Sequence, residues 1–229
     1  MGFILNDKPF AIRSAELSAT IPDPDWVRKY DPARDPRPYW SLEVWVEGDL
    51  GIEDEARASA EEMRFPIRRW TDVVGQTVEW TAPSDKKAGR PYGLPYGNFY
   101  LGEHDIISRA RLRFTERDGV QFRFEWEGAC NVYLDDEDRR DVTFSAEGWA
   151  RFTGVGVLGS GADTDESVRG RFAQFFDPRY FVQGPLMHSS YRHSFFRRIK
   201  SSTALFTPSE ARAAQQRHAP DRGIDHPSA

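Results

Sequence analysis

The chain is poor in sulfur. Cys130 is its one cysteine, which excludes an internal disulfide and a cysteine-based zinc site. Neither staple is needed, because 229 residues are enough to bury a sizeable core. Long apolar runs are missing: no stretch approaches the roughly 18 apolar residues of a membrane-spanning helix. Residues Met1–Lys8 lack a basic region followed by an apolar run, and Asn6 stands where a myristoylation signal has Ser or Thr. These absences lead to the expectation of a cytoplasmic protein with no membrane contact. Positive charge is not in excess either. The net charge is −5, which argues against general binding of nucleic acid.

Several chemical signatures are missing too. There is no His-Glu-x-x-His, and Gly159-Ser160-Gly161 is not the Gly-x-Ser-x-Gly of a nucleophile elbow. Asp135, Asp136, Glu137 and Asp138 lack the spaced acids and central glycine of an EF-hand loop. Gly154-Val155-Gly156-Val157-Leu158-Gly159 matches a dinucleotide fingerprint. The expected strand before it belongs to an antiparallel run, however, and the next helix signal comes several residues too late. No cofactor and no metal site is expected, and no catalytic residue is assigned.

What is present is aromatic and alternating. Sixteen Phe and seven Trp contribute to an aromatic content of 14%, a composition suited to pleated, half-buried surfaces. Trp40, Leu42, Val44 and Val46 alternate with Ser41, Glu43, Trp45 and Glu47, which predicts a half-buried strand. The clearest signal lies between Ile106 and Leu158. Ile106, Ser108, Ala110, Leu112 and Phe114 fall on one face, with Arg109, Arg111 and Arg113 on the other. Asp118-Gly119 is a favoured hairpin turn, and Val120, Phe122, Phe124 and Trp126 then alternate with Gln121, Arg123 and Glu125. Gly128 is expected to interrupt this ladder. Gly148, followed by Trp149, reads as a phase shift at a bulge.

Elsewhere the punctuation is mixed. Phe10 to Thr20 reads as a weak strand, and Val73 to Trp80 as another, interrupted by Gly75. Pro22 to Pro38 and Ala82 to Asn98, rich in Pro, Gly and Asp, read as loops. Ile52 to Met63, rich in Ala and Glu, reads as a short exposed helix. Val168, Phe172, Phe175 and Phe176 recur at helical spacing after Asp163-Thr164, predicting a helix from Asp165 to Phe176. Tyr180 to Ile199 offers one or two edge strands. Thr207-Pro208-Ser209-Glu210 has the form of a capping box with Pro at the first helical position. It predicts a short polar helix from Pro208 to Arg217 and a tail from Ala219.

Charge is unevenly spread. Glu43 to Glu62 holds eight acids against Arg57 alone, whereas His188 to Lys200 holds four Lys or Arg and no acid. Two groups of side chains are candidates for recognition. Tyr92, Tyr96 and Tyr100 stand among Gly and Pro, and tyrosine gives large contact area at low entropic cost. Arg109, Arg111 and Arg113 present guanidinium forks suited to carboxylates and phosphates. Glu125 shares a strand face with Glu127 and Arg123, so cross-strand Arg–Glu pairing is the first expectation for it.

These observations predict a mainly β chain, a single antiparallel β-sandwich or open barrel with one packed helix and a short C-terminal helix. Residues 1–206 form the β-rich domain and 207–229 the exposed helix and tail. Lacking a catalytic motif, the chain reads as a non-enzymatic protein-binding module of immunity, accessory or assembly type. A hydrolase or carbohydrate-binding protein with a cleft on the Glu125 face is the alternative, and anion or nucleotide binding at the arginine row is a second.

Overall fold

The computed structural model describes residues 2–30, 37–47, 56–67, 69–82, 95–101, 103–134, 137–160, 162–192 and 198–209. Its strands are β1 (Gly2–Leu5), β2 (Lys8–Ile21), β3 (Tyr39–Glu47), β4 (Arg57–Met63), β5 (Thr77–Thr81), β6 (Tyr96–Leu101), β7 (Glu103–Asp118), β8 (Gln121–Leu134), β9 (Glu137–Ser160), β10 (Phe181–Gln183), β11 (Met187–Arg192) and β12 (Arg198–Pro208); its helices are α1 (Pro24–Tyr30) and α2 (Asp165–Ala173). All twelve strands belong to one sheet. The expected mainly β architecture is therefore what the chain adopts.

The sheet closes on itself. β2, β3, β4, β6, β7, β8 and β9 are hydrogen-bonded in that order, and β9 returns to pair with β2 in parallel. Closure pairs every strand of this ring on both sides, while β5, β10 and β11 lie off it and each pair with one neighbour among the described residues. β1 forms a hairpin with β2 through Asn6 and Asp7, both at positive φ, as two-residue hairpin turns require. It also pairs with β9 at Phe3↔Ala146, wedging apart the ends of β2 and β9. The β7–β8 hairpin is formed as expected, but its two-residue turn is Gly119-Val120, with Asp118 facing Gln121, one residue beyond the expected Asp118-Gly119; Gly119 takes the positive φ that such turns require.

Inward positions carry the aromatic rings. Trp40 lies 5.4 Å from Phe152 and 5.8 Å from Phe65 between ring centroids. Trp126 meets Phe144 edge to face at 5.3 Å, and Phe3 stacks on Phe99 at 5.4 Å. Such pairs add to the hydrophobic gain of burial. α2 covers one end of this core. Phe172 stacks on Phe206 at 4.0 Å and meets Phe181 edge to face at 4.9 Å. The helix starts at Thr164, whose hydroxyl accepts from the Ser167 N–H while Ser167 reaches back to the Thr164 N–H, a reciprocal cap. Asp163 receives both arms of the Arg171 guanidinium, at 3.0 and 3.1 Å.

Several expectations need correction. Arg57–Met63, expected as the end of an exposed helix, is strand β4 between β3 and β6. Its alanines suit a buried position, since Ala58 and Ala60 are wholly buried; pairing on both sides overrides their helical propensity. Within the expected loop Pro22–Pro38, Pro24–Tyr30 forms α1. Trp70–Val73 makes a helical turn and β5 starts only at Thr77, after Gly75 at φ +86°. Gly128 does not break the ladder; it faces Ala110 and Phe144 in regular register. Gly148 is not a bulge either. It takes an inward position opposite Phe124, where an added Cβ would come within 3.2 Å of that ring.

The fingerprint glycines lie within β9, between β2 and β12, with no helix start to receive a pyrophosphate. Pro208, expected in a helix, is the last residue of β12; the remainder of that expected helix from residue 210, and the tail, lie outside the described residues.

Candidate functional site

The barrel's inward positions are filled by buried rings and aliphatic side chains, and its polar groups gather on the exterior. The outer face of β5, β7, β8, β9 and β1 carries two cross-strand rows of polar side chains. Register places Glu79, Arg111, Glu127, Ser145 and Ile4 in one row. The next holds Thr77, Arg113, Glu125, Glu147 and Gly2. A trough of about 850 Å³ crosses the first row and is flanked by Arg109, Asp7 and Thr81. A second depression of about 430 Å³ lies over Arg113, Glu125 and Glu147.

Four of the sequence candidates are thereby brought together on one face, in different states. Arg113 donates to Glu125 at 2.9 Å, the expected cross-strand pair. Arg111 turns the other way, its Nε lying 3.2 Å from Glu79 on β5. Arg109 and Glu127 are exposed, and neither makes an ion pair among the described residues. They are diagonal neighbours, since Arg109 faces Ala129 and Arg111 faces Glu127; Cβ atoms so placed lie roughly 7–8 Å apart. A bulge between Ile107 and Arg109 sets this arrangement by turning Ser108 and Arg109 outward in succession.

Tyr96 and Tyr100 belong to a separate cluster on the outside of β3, β4 and β6. The Tyr96 hydroxyl donates to Glu61, as does the hydroxyl of Ser59. Ser59 is 1% exposed, so this bond satisfies a buried polar group. The Arg57 guanidinium sits 4.3 Å over the Tyr100 ring and 3.4 Å from Glu43. Both tyrosines are thus engaged within the sheet surface. Tyr92 lies outside the described residues.

Glu127, read from the sequence as sharing the face of Glu125, lines the trough, whereas sequence reasoning missed Glu79, Asp7 and Ser145 there, and Arg57, Ser59 and Glu61 as partners of the tyrosines. The carboxylates Glu79 and Glu61 pair with residues 32 and 35 positions away in sequence, beyond what local periodicity reports.

A third depression, of about 750 Å³, lies beside α2 between Phe65, Pro66 and Asp177. There the Arg179 guanidinium hydrogen-bonds to Asp177 and holds its carboxyl below the usual aspartate range, against a smaller opposing effect of burial. The Asp177 carboxylate also caps the following turn by accepting from the Arg179 N–H, a structural use of the charge. Among the described residues no helix is long and apolar enough to cross a membrane. Comparisons with protein-family models, curated proteins and solved structures found no match.

Proposed function

We propose that this chain is a non-catalytic protein-binding module whose recognition surface is the trough across β5, β7, β8, β9 and β1. One observation carries the reading: Arg109 and Glu127, of opposite sign, stand exposed beside each other there and make no ion pair among the described residues, while Arg111 and Arg113 are spent on carboxylates of the sheet itself. Two uncommitted opposite charges on diagonal neighbours of the sheet suit a polypeptide surface bearing both signs, and such complementarity sets register and speeds encounter. A phosphate ligand is less well served, because Asp7 and Glu127 line the same trough as the two arginines. A hydrolytic role for Glu125 has weaker support still, its carboxylate being held by Arg113.

The test is a photo-crosslinking residue placed in the trough at Ser145, Thr81 or Ile4, with capture from native extract. The expected result is a discrete adduct at one or more of these positions that disappears in Arg109→Glu and again in Glu127→Lys, with the circular dichroism spectrum unchanged. No adduct from any of the three positions would overturn the reading, and so would an adduct indifferent to both charge reversals.

A further inference from the structure

Resting on the trough as a protein-binding surface, we propose that the partner segment it receives is an α-helix laid across the strands. Along one face that helix carries an acidic, a basic and an apolar side chain, in that order. The floor of the trough decides against an extended segment. β7 is hydrogen-bonded to β5 and β8, β8 to β7 and β9, and β9 to β8 and β1 at these positions. Their N–H and C=O groups are spent within the sheet, so a strand lying over them finds no ladder for its own backbone. A helix brings its backbone bonds already made and is read through side chains alone.

Sorted by strand, the side chains around the trough form an ordered series. Arg109 projects from β7, Glu127 from β8, Thr143 and Ser145 from β9, and Ile4 from β1. Arg109 and Glu127 make no ion pair among the described residues, whereas Arg111 and Glu79 engage each other. Ile4, 44% exposed, is an apolar anchor at the far end. Asp7, in the turn after β1, adds a negative charge there, which a second base on the helix meets.

Hydrogen-bonded strands lie about 4.8 Å apart, so Glu127, the two hydroxyls and Ile4 follow Arg109 at about 4.8, 9.6 and 14.4 Å. Residues i+3, i+7 and i+10 of a helix follow residue i at about 4.5, 10.5 and 15 Å along the axis, all on one face. The two series coincide. A single depression touches all five strands, so the sheet there does not curve away from a straight segment of this length. The match assigns Asp or Glu at i to Arg109 and Lys or Arg at i+3 to Glu127. A small or hydroxyl-bearing residue at i+7 meets Thr143 and Ser145, and an aliphatic one at i+10 packs on Ile4.

The crosslinking positions Thr81 and Ile4 lie on β5 and β1, four strand spacings or about 19 Å apart. Mapping their adducts within the captured partner by mass spectrometry therefore measures the partner's rise per residue. A helix places the two crosslinked residues about 13 positions apart, an extended chain about six. The wider separation is expected. A synthetic copy of the mapped segment should bind wild type, and weaken by about tenfold or more when its acid and base are exchanged. The double variant Arg109→Glu, Glu127→Lys should prefer the exchanged peptide. Adducts about six positions apart, scattered over the partner, or formed at one end of the trough alone would overturn the helix while leaving the trough a binding surface. A peptide indifferent to the exchange would overturn the assigned order. Absence of any adduct removes the protein-binding reading itself, and the helix with it.

Discussion

Three glycines separate backbone conformation from available space. At Gly154 φ is +137°, and an added Cβ would lie 2.4 Å from the Phe206 carbonyl oxygen of β12. The neighbouring strand backbone cannot rotate away as a side chain can. Gly75 has φ of +86° but open space around it, and Gly156 has neither problem, its nearest neighbour being the Thr20 hydroxyl at 3.8 Å. Alanine therefore meets three distinct situations. At Gly156 it fits, and loss of unfolded-chain freedom makes it neutral or stabilising by about 0.4–1 kcal/mol. At Gly75 the left-handed conformation costs about 1–2 kcal/mol. At Gly154 strain of about 1–3 kcal/mol is joined by overpacking of about 1–3 kcal/mol, for a loss of about 4 kcal/mol. For a chain of this size each kcal/mol moves the midpoint by about 2–4 °C. The Gly154→Ala variant should therefore melt roughly 8–16 °C below wild type by scanning calorimetry, with Gly75→Ala between it and Gly156→Ala. A Gly154→Ala protein melting level with Gly156→Ala would refute the β9–β12 contact on which the ordering rests.

Removing the ring that joins α2 to β12 and β10, by Phe172→Ala, should cost about 3–5 kcal/mol in urea unfolding, because the side chain is wholly buried and touches Phe206 and Phe181; a loss below about 1 kcal/mol would show that α2 is not packed there. Asp163→Asn leaves Arg171, only 18% exposed, without its counter-charge, and should cost up to about 3 kcal/mol, discounted for that partial exposure from the value for a fully buried pair; a double variant with Arg171→Met should recover part of it. The depressed Asp177 carboxyl contributes stability that is present above the unfolded aspartate value and lost as pH falls through its lower folded value. In a carbon-detected NMR titration it should titrate below the usual aspartate range, and Arg179→Ala should move it back toward that range.

How much of this was legible depends on the distance over which each feature is specified. The β7–β8 hairpin needs only a Gly-containing turn and two alternating strands, so its existence could be read from about twenty adjacent residues; its register could not, because the turn falls at Gly119-Val120 and a bulge between Phe114 and Glu116 brings Arg113 opposite Glu125. α2 was legible for the same reason, from the four-residue spacing of Val168, Phe172 and Phe176 and a local cap. β4 was not. Its alanines signal helix by propensity, and only flanking strands β3 and β6 make small side chains the right choice for a buried strand. Gly148 failed similarly: the sequence shows a missing side chain, but only the Phe124 ring opposite explains why. On the candidate surface, the arginine row itself was legible, whereas the selection of Arg109 as its uncommitted member was not. That selection comes from β5, which supplies Glu79 to Arg111 from a separate part of the chain.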